Sequence, residues 1–266
     1  MKRGRPQGTT KQAKTKQVKS NFKVNMKLVK MQDVKFNDDL FIPMKTKTIV
    51  DSVLSTEGGI FPGTNTIVIG DPGVGKSTVL LDWVCDLQAQ GKKVLFISGE
   101  MNDIDMYGYV KRFPKFGKID IMFMGEYSDC PKQAVEQVLN EGYDVVLMDS
   151  WAEVTSMIKD QMGWARNKVE SWLLDLLEKQ NKANNKANKN TAFICIQQMT
   201  KAGEFAGSNR IKHMTTAMAA LRFDGRGASS ERYIEFIKNR RGSVGDKIYF
   251  SLHRGGCVDY SFELID

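Results

Sequence analysis

Residues 70–78 read Gly70-Asp71-Pro72-Gly73-Val74-Gly75-Lys76-Ser77-Thr78. Glycine, four residues, glycine, lysine and serine is a spacing that asks for the polyphosphate of a nucleotide with its magnesium. The glycines let backbone amides turn inward around phosphate oxygens without Cβ clashes. Lys76 reaches the outer phosphates, and the Ser77 hydroxyl is placed to hold Mg2+. The flanks supply the context that the loop needs. Asn65-Thr66-Ile67-Val68-Ile69 is a β-branched run of buried-strand type, and Val79, Leu80, Trp83, Val84 and Leu87 mark one apolar helical face that stops at Gly91.

Working outward, strands are predicted near 65–69, 93–98, 120–124, 144–149 and 191–197, with helices near 76–90, 103–113, 131–141 and 163–180. This alternation implies right-handed crossovers and an α/β fold with a mainly parallel central sheet flanked by helices. Trp164, Trp172, Leu173, Leu176 and Leu177 form the stripe of the last helix and are read as core. Residues 180–190 are polar and low in complexity, and read as a solvated connection without function. Beyond them, 217–223, 233–237, 247–253 and 258–264 are strand-like and separated by turns such as Ser243-Val244-Gly245-Asp246, so an antiparallel C-terminal extension of the sheet is expected.

A chain of 266 residues is long enough for one substantial core. We divide it into a disordered basic tail at 1–20, an N-terminal strand or arm at 21–45, and one main domain at 46–266. The net charge of +8 is unevenly spread: ten Lys or Arg and no acid fall before Asp33, and subtracting these ten from the 39 leaves 29 basic against 31 acidic side chains. A near-neutral body with a cationic tail argues against a broadly basic surface and for local contacts with a polyanion. Lys2-Arg3-Gly4-Arg5-Pro6 resembles an AT-hook core, with Arg3 and Arg5 directed into a narrow minor groove; the plainer reading is a polybasic tail that binds any polyanion. Both point to nucleic acid. Phe22, Val24, Met26 and Leu28 alternate with polar residues, which predicts a half-buried strand that pairs within its own chain or on a neighbouring subunit.

No run of about 18 apolar residues exists, and the N-terminus is too basic for a secretory signal. A soluble cytoplasmic protein without a membrane partner is expected, in the host cytoplasm if phage-encoded, and associated with the nucleoid. Cys85, Cys130, Cys195 and Cys257 form no Cys-x-x-Cys pair, and buried reduced thiols are expected rather than zinc or disulfides.

Two acids end apolar strands. Tyr143-Asp144-Val145-Val146-Leu147-Met148-Asp149 puts Asp149 where it can hold magnesium's water shell beside Ser77, whereas Asp144 lies at the wrong end of the strand. Val94-Leu95-Phe96-Ile97-Ser98-Gly99-Glu100 brings Glu100 to the same sheet edge, near a γ-phosphate, where it can orient and polarise an attacking water.

With these residues in place the chain resembles a RecA-like ATPase, in particular the ATPase domain of the RadA (Sms) DNA repair family, with DnaB-type helicases as cousins. Residues 58–63 (Gly-Gly-Ile-Phe-Pro-Gly) enter the loop as in RadA, and Ser98-Gly99-Glu100 matches the family's catalytic glutamate strand. Residues 198–207, followed by His213-Met214, are similar to the segment that includes the second DNA-binding loop. Lys238-Asn239-Arg240-Arg241-Gly242-Ser243 is close to the KNRFG signature, with Arg241 where Phe is usual. The resemblance spans about residues 45–255.

It implies ATP and Mg2+ as ligands, with Gln198 coupling the γ-phosphate to the loop that follows and Lys201, Arg210 and Lys212 contacting single-stranded DNA. Lys238 and Arg240 fall on alternate residues of a strand, and the resemblance implies that they reach the ATP site of a neighbour in a hexameric ring or filament. RadA's zinc module and protease-like domain find no counterpart, which reads as a minimal core of phage or plasmid type. The expected activity is DNA-stimulated ATP hydrolysis on single-stranded DNA in recombination, repair or replication. A minimal hexameric replicative helicase and an ATP-switched DNA-binding or regulatory protein are the alternatives.

Overall fold

The computed structural model describes residues 28–35, 37–199, 209–225, 231–253 and 256–262. It forms two units, Met1–Phe36 and Asn37–Asp266. In the first, the described residues hold one 3-10 turn, Met31–Asp33, with no buried side chain. Of the strand expected at 22–28 only the exposed Leu28 is described; the rest, with Arg3 and Arg5, lies outside the described residues.

The second unit runs α1 (Asp51–Leu54), β1 (Asn65–Gly70), α2 (Lys76–Gln88), β2 (Val94–Ser98), α3 (Asp103–Arg112), β3 (Asp120–Phe123) and α4 (Pro131–Asn140). It continues with β4 (Val145–Asp149), α5 (Trp151–Met162), α6 (Arg166–Asn181), β5 (Ala192–Ile196) and α7 (Asn209–Met214). The last strands are β6 (Ala217–Asp224), β7 (Glu231–Asn239), β8 (Lys247–Leu252) and β9 (Val258–Ser261). The nine strands form one sheet in the order β3-β2-β4-β5-β1-β6-β7-β8-β9.

β2, β4 and β5 are buried at every residue, as strands covered by helices on both faces must be. Alternation divides their side chains between two cores. Val68, Phe96, Leu147 and Ile194 pack with Leu80, Trp83 and Val84 of α2. Ile67, Ile97, Met148 and Phe193 pack with Val154 and Ile158 of α5 and Leu173 and Leu177 of α6. Among the described residues no helix is long and apolar enough to cross a membrane.

The structure corrects four local expectations. The run at 217–223 does not simply open the antiparallel extension: β6 lies parallel to β1, with Gly70 opposite Leu221, and antiparallel to β7. Its Ala-rich run is buried on both faces, which suits a central strand at the junction of the two halves. An unexpected helix, α5, ends at Gly163 with φ 62°, and the helix expected at 163–180 is α6, which starts only at Arg166. Its tryptophans still serve the core: Trp164 and Trp172 are half-buried against the second cluster, and Trp172 Nε1 donates to Glu136 Oε1 at 3.1 Å.

The third correction concerns residues 180–190, which are knitted rather than merely solvated. Asn181 Nδ2 donates to Asn65 Oδ1 and Thr191 O, Asn185 is 9% exposed, and Gly63 N donates to Asn190 O. Polar side chains here add to backbone turn bonds such as Asn188 N to Asn185 O, so a low-complexity sequence still packs. Finally, Cys85 and Cys195 are buried as expected, but Cys130 and Cys257 are exposed, because one precedes a helix and the other lies at a hairpin end.

Candidate active site

The carboxyl ends of β1, β2 and β4 meet at one edge. β1 ends at Gly70, where an added Cβ would lie 2.2 Å from Leu221 O, so only glycine lets the loop leave the sheet beside β6. Asp71 fixes the exit, its N donating to Leu221 O at 3.2 Å and its Oδ2 accepting from Phe223 N at 3.3 Å. Gly75, at φ 103°, ends the loop against Leu252, whose Cδ1 would be 2.6 Å from a Cβ there.

Lys76 Nζ donates to Gly70 O and Asp71 O, both at 3.0 Å, and so stays inside its own loop. Burial lowers the Lys76 pKa, an effect partly offset by the carboxylates of Asp149, Glu100 and Asp71. The hydrogen bonds that close the loop leave the amides of Gly73, Gly75, Lys76 and Ser77 without a protein acceptor among the described residues. Unpaired donors at the start of α2, with a half-buried ammonium beside them, fit a polyphosphate.

Ser77 Oγ donates to Asp149 Oδ2 at 2.5 Å, which brings together the two side chains assigned to Mg2+. An alcohol and a carboxylate are the hard oxygen donors that this ion takes. β2 and β4 are in register at Ser98 and Asp149, and Gly99 N donates to Asp149 O at 2.6 Å, so the two acid-bearing ends are tied together. Asp149 is 3% exposed, and burial raises its pKa to about 6; the Ser77 hydrogen bond and Lys76 pull it back, while Glu100 adds to the rise. Glu100 is exposed, and its Oε1 accepts from Gln198 Nε2 at 3.3 Å. The expected general base and the expected sensor are therefore in contact.

An open cleft of about 960 Å³ contains these groups, a size that accommodates a nucleotide. Gly70, Asp71, Pro72, Gly73, Gly75, Lys76, Ser77, Thr78, Glu100, Asp149 and Gln198 line it; Val74 is buried and anchors the loop from below. Tyr109 and Arg112 of α3, Arg232 of β7 and Leu252 of β8 also line it, and sequence reasoning missed all four. Only Arg232 left a trace in the sequence, as a lone cation that opens a strand; the others arrive by packing across the sheet.

Lys238 and Arg240 lie elsewhere. Both are counted from the cleft end of β7, where Arg232 sits, and six residues of antiparallel strand separate Lys238 from Arg232 by about 20 Å. Lys238 Nζ donates to Lys212 O and, at 2.7 Å, to Thr215 O, the carbonyls at the end of α7. Burial and the charge of Arg240 both lower its pKa. Arg240 is exposed, and its N donates to Thr216 O. Arg210 is pinned to α6, donating to Ser171 Oγ and pairing with Asp175 at 2.9 Å. Lys212 follows it on α7, and Lys201 lies outside the described residues.

The stretch 238–243 packs on residues 53–61. Asn239 Nδ2 donates to Val53 O and Leu54 O, Thr56 N donates to Arg241 O, and the Arg241 guanidinium lies 4.9 Å from the centre of the Phe61 ring. The arginine that departs from the usual Phe thus stacks on a ring of its own chain.

A mainly parallel sheet that carries a glycine-rich loop after β1, a buried acid at the end of β4, a glutamate beyond β2 and an antiparallel wing defines a RecA-like P-loop NTPase fold. Its sequence is similar to the DNA repair protein RadA of Chlamydia pneumoniae, with 28% identity over 204 residues, 77% of this chain and 43% of that protein. It is likewise similar to RadA of Streptococcus pyogenes, with 30% identity over 76% of this chain and 42% of the relative. The chain thus spans less than half the length of these relatives. A KaiC-like protein from Pyrococcus horikoshii shares the fold, with a TM-score of 0.60, 16% identity, and coverage of 83% of this chain and 99% of that one. No family model matches the chain.

Proposed function

We propose that the protein is an oligomeric ATPase that acts on single-stranded DNA and is stimulated by it, in recombination, repair or replication. The contact between Glu100 and Gln198 carries this reading. Gln198 stands at the end of the β5 segment, directly before the residues that resemble a DNA-binding loop. A side chain that holds the water-orienting carboxylate and also opens that loop links hydrolysis to whatever the loop touches. The name of the relatives, DNA repair protein RadA, supports nucleic acid as the partner.

The amides at the start of α2 and the Lys76 ammonium bind and orient the β- and γ-phosphates of ATP. Bound beside Ser77 Oγ and the Asp149 carboxylate, Mg2+ supplies charge neutralisation on those oxygens. Glu100 takes a proton from the attacking water as the water oxygen bonds to the γ-phosphorus and the bond to the ADP oxygen breaks. Lys238 and Arg240, too distant for the cleft of their own chain, serve the cleft of a neighbour.

Phosphate release measured without DNA and with single-stranded, duplex and forked DNA tests the reading. Stimulation should be largest with single strands. Lys76→Ala should abolish turnover with loss of ATP binding, whereas Glu100→Gln should keep binding and lose roughly 10²–10⁴-fold in rate. Unwinding of the fork would move the assignment to a helicase. Turnover that ignores every DNA would reduce the protein to an ATPase without this partner.

A further inference from the structure

We propose that the outer face of the β8–β9 hairpin binds one divalent transition-metal ion of the zinc class through His253, Cys257 and Asp259. β8 and β9 pair with Ser251 opposite Asp259 and Leu252 opposite Val258, and His253 N donates to Cys257 O at 3.0 Å, so His253 and Cys257 face each other across the turn. Period-two alternation then puts Ser251, His253, Cys257 and Asp259 on one face and Leu252 and Val258 on the other. The apolar pair packs against the core. The polar four are left outward.

The donor atoms of His253, Cys257 and Asp259 all lie within 4.8 Å of one another. His253 Nε2 already meets Asp259 Oδ2 at 2.8 Å and Ser251 Oγ at 3.0 Å. A tetrahedral ion holds its ligand atoms roughly 3.5 Å apart. The remaining approach is a side-chain rotation, and all three residues are exposed. One imidazole, one thiolate and one carboxylate, with a position open to water, are a borderline-soft set that favours zinc, cobalt or nickel. Mg2+, which accompanies the nucleotide, takes an all-oxygen shell and does not compete. No Cys-x-x-Cys or His-x-x-His motif announces the site, because hairpin register rather than local spacing assembles it.

The location gives the ion a consequence. Leu252 precedes His253, lines the nucleotide cleft and rests on Gly75; a Cβ at Gly256 would lie 2.2 Å from Arg112 O, so the turn is seated on the end of α3. An ion that stiffens this hairpin stiffens one wall of the cleft.

The test is a Co2+ titration of the full chain, free of any histidine tag and with Mg2+ present. One equivalent should bind, with a cobalt–thiolate charge-transfer band that Zn2+ displaces. Cys257→Ser should abolish the band, His253→Ala should weaken binding by about tenfold or more, and Cys130→Ser, at the other exposed cysteine, should change neither. Absence of the band in the parent chain, or a band that survives Cys257→Ser, overturns the proposal. Should Cys257→Ser fail to fold, Zn2+ competition against His253→Ala decides, and unchanged affinity there overturns it equally.

Discussion

β7 carries a cation toward each end, and the two ends differ in what surrounds them. At one, Arg232 joins a cleft whose parts come from β1, β2, β4, β5 and α3 of one chain and already touch each other: Ser77 with Asp149, Glu100 with Gln198. At the other, Lys238 is anchored to the end of α7, and Arg240 stands exposed beyond the strand. About 20 Å of strand keeps the second group out of the first. On the function proposed above, one chain builds the phosphate-binding half of a site, and the cations at its opposite end complete the site of a neighbour. If the proposed function holds, head-to-tail assembly would bring the two ends together, and a closed rotation would make a ring.

Mixing experiments break that comparison most sharply. Arg240→Ala should cost roughly 10³–10⁵ in turnover if the guanidinium neutralises charge on the transferring phosphoryl. The Lys76→Ala chain has an inactive cleft and an intact Arg240. Combined in equal amounts, the two inactive proteins should regain activity at roughly a quarter of their interfaces, those pairing a good cleft with a good arginine in random head-to-tail assembly. Phosphate release from the mixture reads this directly. No recovery would mean that the far end of β7 does not complete a neighbour's site.

A smaller effect sharpens the cleft side. Burial raises the Asp149 carboxyl from its ordinary 3.8 to about 6, so between these values the folded chain holds a proton that the unfolded chain has released. Stability then falls as pH rises through this window, the sign opposite to that of a salt-bridged acid. Asp149→Asn keeps an acceptor for Ser77 and cannot ionise. Without nucleotide it should gain up to about 3 kcal/mol over the parent above pH 6 and nothing below about pH 4. Urea midpoints at both pH values check this, and a gain that does not change with pH would remove the buried charge from the explanation. With Mg2+ and ATP the advantage should reverse, because the ion stabilises the ionised carboxylate.

The cleft half was largely legible in the sequence. The loop, Glu100 and Asp149 each sit at the end of a buried apolar run, and such a run fixes both the strand and the edge at which it stops. α5 was missed although Ser150 caps Glu153 N and Trp151, Val154, Thr155 and Ile158 repeat at helical spacing, because the stronger leucine stripe after it drew the boundary. β6 was misassigned in direction, since pairing sense depends on the crossover before it rather than on its own residues. Tyr109, Arg112 and Leu252 carry no local mark at all: the first two reach the cleft from a helix with no fully buried side chain, and the third from a strand, 177 residues after the Gly75 it touches.

The finest test concerns what seats the far end. Asn239 and Arg241 hold the 238–243 stretch to the segment before β1, one by two hydrogen bonds to the carbonyls of Val53 and Leu54, the other by stacking on Phe61. An exposed cation–π contact contributes about 0.5–1 kcal/mol, so Arg241→Ala should lower the urea midpoint slightly. Arg241→Phe, which restores the residue usual at this position in the resembling family, should cost less, because ring on ring replaces cation on ring with similar contact area. Asn239→Ala should exceed both at about 1–3 kcal/mol, since it leaves two carbonyls without their donor. If Arg241→Ala also depresses turnover while its fold is intact, and recovery appears on mixing with Lys76→Ala, then Arg241 acts across the interface with Arg240; unchanged turnover confines it to seating the strand end from which Arg240 projects.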